Sequence, residues 1–195
     1  MSRVLRMAVL LSAISLLAGC SSKGPAETAL KGADQALEGA RADLAAYAPD
    51  QLASLEQANA AAHEKFDKGD YKGAMADAHT MVTQVQAAVT EAGQKKEEFT
   101  KAWSEMSTQV PPMIAAVETK VAELSAMKKL PAGMDAQTLD GVKTELSAAQ
   151  QQWGQAATAF QEGRVADAMQ FGMAVKASAE GMMSKLGMSA APATN

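Results

Sequence analysis

The chain has 195 residues, a net charge of -4 and a single cysteine, and 43 of its residues are alanine. A lone cysteine cannot form an internal disulfide or a cysteine zinc cluster, and the acidic charge removes the broad basic surface that nucleic-acid binding needs. Alanine with Glu, Lys, Gln, Met and Leu favours helix, while β-branched and aromatic residues are too sparse for a large sheet. The composition therefore predicts an all-α protein.

The first twenty residues have the pattern of a secretory signal. Arg3 and Arg6 give a short positive start, and an apolar run follows from Met7 to Ala18. This run is too short for a permanent membrane-spanning helix but suits the hydrophobic region of a signal peptide. The pattern predicts that residues 1–19 are a signal peptide that is removed from the mature protein.

The apolar run ends in Leu17-Ala18-Gly19-Cys20, which resembles the lipobox of bacterial lipoproteins. The resemblance implies that the lipoprotein signal peptidase recognises Leu17, Ala18 and Gly19. It also implies that Cys20 becomes the N-terminus and carries acyl chains on its sulfur and its amino group. Three chains would form an essentially permanent anchor, because each buried methylene contributes about 0.8 kcal/mol. The alternative is an ordinary secretory signal with a cysteine beside it by chance.

The residues after the predicted cleavage site indicate the location. Cleavage removes two arginines and no acid, so the net charge changes from -4 to -6. Ser21 and Ser22 stand where, in the resemblance, an aspartate marks retention in the inner membrane. We therefore expect a lipid anchor at the periplasmic face of the outer membrane, or in the cell membrane of an organism with only one. Residues 20–26 are expected to be the lipidated cysteine and a flexible tether containing Gly24 and Pro25.

Apolar residues recur at helical spacing from Glu27 onward, and Leu and Ala share the predicted core stripes. Residues 27–110 are predicted to be a first helical unit followed by a bridging helix. The predicted helix boundaries in this part are Ala48-Pro49, Gly69 with an N-cap at Asp70, and Val110, and Gly93 is predicted to be either a stop or a weak joint.

Pro111 and Pro112 are expected to break or sharply kink any helix, because both lack an N–H donor and their rings clash with the preceding turn. We place the main internal boundary there, with a second helical unit over residues 111–187 and a disordered tail over 188–195. The predicted boundaries in the second unit are Leu130 to Gly133, an N-cap at Asp135, Gly163 and Leu186.

The two halves resemble each other when the sequence is shifted by 94 residues. The superimposed pairs are Phe66 and Phe160, Gly69 and Gly163, Ala74 and Ala168, Met75 and Met169, and Gly93 and Gly187. We interpret them as a tandem duplication, so the predicted fold is an elongated antiparallel helical bundle of two tandem three-helix units. The alternative is two unrelated segments of one Ala-rich composition.

Two stretches of the first unit carry a wider resemblance, Tyr47-Ala48-Pro49-Asp50-Gln51-Leu52 and Phe66-Asp67-Lys68-Gly69-Asp70-Tyr71-Lys72-Gly73-Ala74. With the lipobox, they resemble a family of small Ala-rich bacterial lipoproteins known only as a domain of unknown function. The second stretch is also similar to the Gly-Asp-Tyr-x-x-Ala bend between the two helices of a tetratricopeptide repeat. The resemblance implies an all-α, envelope-attached protein without assigned chemistry.

Two groups of residues are candidates for metal binding. His63 and His79 flank the Gly69 turn with three aspartates nearby, and the mature chain has eleven methionines, several of them between Met169 and Met188. Thioether clusters can bind copper(I). Methionine also favours helix and fills gaps in a core, and the histidines fit solvated helix faces. We therefore assign no metal ligand and no cofactor.

The sequence contains no Gly-rich phosphate loop, Gly-x-Ser-x-Gly elbow or His-Glu-x-x-His motif. We expect no catalytic residue and no enzymatic activity. The predicted function is a lipid-anchored, non-catalytic cell-envelope scaffold or protein-interaction module that binds an envelope protein or itself. The alternative is a periplasmic carrier of copper or another cation.

Overall fold

The computed structural model describes residues 22–188. The predicted signal peptide, Cys20 and residues 189–195 of the predicted tail lie outside this range. The described residues form five helices and no strand, which confirms the all-α prediction. In chain order they are α1 (Lys23–Tyr47), α2 (Pro49–Asp67), α3 (Tyr71–Ala126), α4 (Ala136–Gln161) and α5 (Val165–Lys185).

The first helix begins earlier than the predicted tether allows. The Ala26 N–H donates to the Ser22 carbonyl at 3.1 Å, and Ala26 is fully buried. The expectation of a flexible tether is therefore wrong from Lys23 onward. Pro25 does not disturb the helix because it lies in the first turn, where backbone N–H groups have no intrahelical acceptor.

The third helix is 56 residues long and continues through Gly93, Pro111 and Pro112. The predicted stop at Gly93 and the predicted break at the proline pair are therefore wrong, while the alternatives, a weak joint at Gly93 and a kink at the prolines, stay predictions. A proline inside a helix costs about 3 kcal/mol. The apolar stripe nevertheless continues across the pair, because Val110 and Ile114 on either side are both buried. Each such side chain contributes about 1.5–3 kcal/mol on burial, and the buried stripe continues to Leu124, so packing outweighs the cost of about 6 kcal/mol for two prolines.

The chain divides into two compact units between Lys95 and Lys96, not at the proline pair. Among the described residues, unit 1 is 22–95 and unit 2 is 96–188. The predicted boundary assigned residues 96–110 to the first unit. These residues belong to the second because Trp103, Met106 and Val110 are part of its core.

Unit 1 contains α1, α2 and the first part of α3. Arg41 hydrogen-bonds to Glu56, and Asp34 to His63, and both pairs are symmetric about the α1–α2 junction, as antiparallel helices require. The predicted Leu and Ala stripes are buried in this unit. Its core comprises Leu30, Ala33, Leu37, Ala40, Leu44, Leu55, Ala62, Ala74, Ala78, Met81, Val85, Ala88 and Ala92.

Unit 2 contains the rest of α3, with α4 and α5, and has a stack of three aromatic rings in its core. The Trp103 ring stacks on Trp153 at 5.3 Å and on Phe160 at 5.1 Å between ring centroids. Trp153 and Phe160 are seven residues apart, which is about 10.5 Å along a helix. The Trp103 ring therefore lies between the other two and fixes the position of α3 along α4.

The predicted turns at Gly69 and Gly163 are confirmed, and both glycines have left-handed backbone, with φ of 83° and 78°. The two turns share a Schellman pattern of hydrogen bonds. The bonds are Lys68 N–H to Glu64, Gly69 N–H to Phe66 and Asp70 N–H to Lys65 in the first, and Glu162 N–H to Thr158, Gly163 N–H to Phe160 and Arg164 N–H to Ala159 in the second. Corresponding atoms are 94 residues apart. The tandem duplication itself stays a prediction.

Both predicted N-caps are confirmed. The Asp70 carboxylate accepts from the Gly73 N–H at 2.9 Å, and the Asp135 carboxylate accepts from the Thr138 N–H at 2.7 Å. Each carboxylate thus satisfies a donor in the first turn of a helix that has no partner within the helix. The hydrogen bond to Thr138 lowers the pKa of Asp135 below its ordinary value.

Gly172 is buried on α5, where α3 approaches it closely. A Cβ at this position would lie 2.3 Å from the Met106 Sδ and 3.2 Å from the Trp103 Cζ3. Both distances are shorter than ordinary van der Waals contact. The missing side chain therefore makes room for the aromatic stack and for Met106.

We expect Gly172→Ala to destabilise unit 2 by about 1–3 kcal/mol, because the added methyl must displace Met106 and push on Trp103. Gly181→Ala in the same helix is the matched control, since nothing lies within 4 Å of its Cβ position. Urea unfolding followed by tryptophan fluorescence measures both variants, because the only two tryptophans lie in unit 2. Equal stability of the two variants would contradict the close approach at Gly172.

Candidate functional site

The predicted lipidation site and its recognition residues, Leu17, Ala18, Gly19 and Cys20, lie outside the described residues. The nearest described element is α1, which begins at Lys23, three residues after the cysteine. Its apolar face is buried from Ala26 onward. Only Ser21 and Ser22 stand in the sequence between Cys20 and this helix.

A polar cluster joins α1 to α2 in unit 1. One oxygen of Asp34, Oδ1, accepts from Asn59 Nδ2 at 2.8 Å and lies 2.9 Å from His63 Nε2. The Asp34 and His63 side chains are 42% and 44% exposed, so water screens their attraction. The cluster therefore positions the helices along each other more than it adds to stability.

The Asp34 carboxylate is kept ionised by its neighbours. Partial burial by itself would raise its pKa. The hydrogen bonds from His63 and Asn59 and the charge of His63 together outweigh burial, and they hold the pKa below its ordinary value of 3.8. Asn59 contributes a second feature, since its Oδ1 is the one buried side-chain N or O atom in residues 22–188 that lacks a hydrogen-bond partner.

The two histidines considered as metal ligands have different surroundings. His63 contacts Asp34 on α1, a residue the sequence pattern did not connect with it, whereas His79 is exposed on α3. Of the nearby aspartates, Asp70 caps α3, and Asp77 pairs with Lys65 at 2.6 Å. Within the described part of the chain, no three His, Cys, Asp or Glu side chains form a group that could hold a metal ion.

The methionines considered for copper(I) divide between core and surface. Met169, Met182 and Met183 are buried in the core of unit 2. Met173, one helical turn from Met169, is 51% exposed. The three buried methionines therefore act as core side chains. The spacing in the sequence does not distinguish them from the exposed Met173.

Further polar contacts, one an ion pair and one a hydrogen bond, join helices within each unit. Lys185 of α5 pairs with Glu145 of α4 at 2.6 Å, at the edge of unit 2. In unit 1, Gln51 of α2 donates to Glu91 of α3. All four side chains are at or near the surface. Polar contacts between helices thus surround the apolar cores without entering them.

None of the helices within residues 22–188 combines the length and the apolar character needed to cross a membrane. Comparison of the chain with protein-family models, with curated proteins and with solved structures found no match.

The lowered pKa of Asp34 predicts a pH dependence for unit 1. The stability that the carboxylate contributes is fully present above its unfolded-state pKa, and it is lost as the pH falls through the lower folded-state value. Asp34→Asn should therefore reduce the loss of unfolding free energy that unit 1 shows as the pH falls from about 5 to about 2. Urea unfolding followed by NMR signals of Tyr47 and Tyr71, the only tyrosines and both in unit 1, measures this.

Asp140→Asn in α4 is the control for this experiment, because it removes a carboxylate that pairs with Lys143 in unit 2. It should leave the pH dependence of the unfolding free energy of unit 1 unchanged. An Asp34→Asn variant with the same pH profile as the unchanged chain would show that Asp34 is not coupled to the folding of unit 1.

Proposed function

We propose that this protein is a lipid-anchored, non-catalytic component of the bacterial cell envelope that acts as a scaffold or protein-interaction module. The observation that carries the proposal is Leu17-Ala18-Gly19-Cys20, placed at the end of an apolar run that starts after Arg3 and Arg6. The proposed location is the periplasmic face of the outer membrane. In an organism with one membrane, it is the outer face of the cell membrane.

The early start of α1 supports a short connection between the lipid and the folded part. Two residues, Ser21 and Ser22, span at most about 7 Å when fully extended. Acyl chains on Cys20 would therefore hold the first turn of α1 close to the membrane surface. Lys23, the first residue of that helix, would lie near the phosphate headgroups.

Exposed apolar side chains are candidate positions for the proposed interaction. Polar contacts such as Asp34–His63 and Lys185–Glu145 connect one helix to another within a unit. The large apolar side chains most exposed in residues 22–188 are Val89, Met127 and Met173. We propose that the partner is an envelope protein or another copy of this chain, and that these exposed side chains are among the positions that meet it.

Replacement of the cysteine tests the anchor. We expect Cys20→Ser to abolish incorporation of an alkyne-labelled fatty acid and to leave the protein either in the periplasmic fraction or as uncleaved precursor, because the acyl acceptor is gone. Ser21→Ala, which keeps the cysteine, is the matched control and should be labelled and sediment with membranes. Fatty-acid labelling of Cys20→Ser equal to that of Ser21→Ala would contradict the anchor.

A photo-cross-linking amino acid at Met173 or at Val89 tests the interaction role in the same cells. We expect discrete cross-linked species from these exposed positions, and we expect them to be lost with Cys20→Ser because the chain no longer stays at the membrane. The absence of any cross-linked species from both positions in the anchored chain would contradict the interaction role and leave the anchor standing.

A further inference from the structure

Residues 93–98 form the only run of six consecutive exposed residues within the five helices. The last buried residue before this segment is Ala92, in the core of unit 1. The first buried residue after it is Trp103, in the core of unit 2, with Phe99 partly buried ahead of it. Neither core therefore covers any side of α3 over residues 93–98.

A helical segment without a buried apolar face lacks the main source of helical stability, although Lys95, Lys96 and Glu98 each have an interaction partner. Most helical stability in proteins comes from packing of an apolar face, and short helices without such packing are marginal in water. The charged side chains of this segment are exposed, and ion pairs at exposed positions contribute little. Gly93 weakens the segment further, because glycine loses more conformational freedom than any other residue on entering a helix.

The counterpart of Gly93 in the shifted sequence is Gly187, and Gly187 ends a helix. It has a left-handed φ of 66°. The hydrogen bonds that end α5 there, Leu186 N–H to Met182, Gly187 N–H to Ser184 and Met188 N–H to Met183, follow the pattern of the Gly69 and Gly163 turns. Gly187 thus ends a helix, whereas Gly93, on which the 94-residue shift superimposes it, lies within one.

We propose that α3 opens locally at residues 93–98, so that this segment is a joint in the middle of a continuous helix while both units stay folded. The free energy of opening a helical segment follows its local packing. The joint would allow either unit to engage a partner without unfolding the other. This inference does not depend on lipidation of Cys20.

Hydrogen–deuterium exchange of the purified mature chain tests the joint. Amides of residues 94–98 should exchange at least about tenfold faster than those of residues 81–88 and 117–124, which lie in the same helix and are packed on a core. Gly93→Ala should slow exchange at 94–98 by about two- to fivefold, because alanine favours the closed helix.

Gly141→Ala is the matched control. Gly141 is also an exposed helical glycine with nothing within 4 Å of its Cβ position, but it lies in α4. It should leave exchange at residues 94–98 unchanged. Exchange at 94–98 as slow as at 81–88 and 117–124, or no slowing with Gly93→Ala, would overturn the proposal. So would equal slowing by Gly93→Ala and Gly141→Ala.

Discussion

Burial of small and medium apolar side chains at alternating three- and four-residue spacing is the constraint on which both units depend. In α1 the buried stripe alternates Leu and Ala, and three side chains in it, Leu30, Leu37 and Leu44, are large. Leucine contributes about 1.5–3 kcal/mol on burial, while alanine lets helix axes approach to the short end of the usual 8–10 Å spacing. In unit 1, which has no aromatic side chain among its buried core residues, many small contacts of this kind replace the few large ones of an aromatic core.

The same constraint explains where local rules fail. Pro111 and Pro112 should end a helix, but α3 continues because the buried stripe extends on both sides of them. At Gly172 the buried face of α5 has no side chain, because Trp103 and Met106 of α3 occupy the space that a Cβ would fill. Residues 93–98 show the opposite case, because no buried apolar stripe continues through them.

Much of the fold could be predicted from the sequence because the stripes, the turn glycines and the caps are local signals. Gly69, Gly163, Asp70 and Asp135 were identified from single residues beside an apolar pattern, and each has its predicted role. The boundary between the units could not be located this way. The boundary depends on which core contains Trp103. Its place is set by stacking on Trp153, which lies 50 residues later in the sequence.

The polar cluster could not be predicted from the sequence for a related reason. The aspartates nearest to His63 in sequence do not contact it in the structure, whereas Asp34, 29 residues earlier, does. Only the register of α1 against α2 brings the two together, and the sequence pattern of either helix alone does not set that register. The predicted lipidation site rests on a short contiguous stretch, Leu17 to Cys20, that resembles a lipobox independently of the fold.

Mass spectrometry of the N-terminal peptide from the natural protein decides whether Cys20 carries the proposed lipid anchor. We expect the chain to start at Cys20 and this residue to carry the mass of three fatty acyl chains with their glyceryl group. A chain that retains Met1, or a Cys20 with an unmodified thiol, would contradict it.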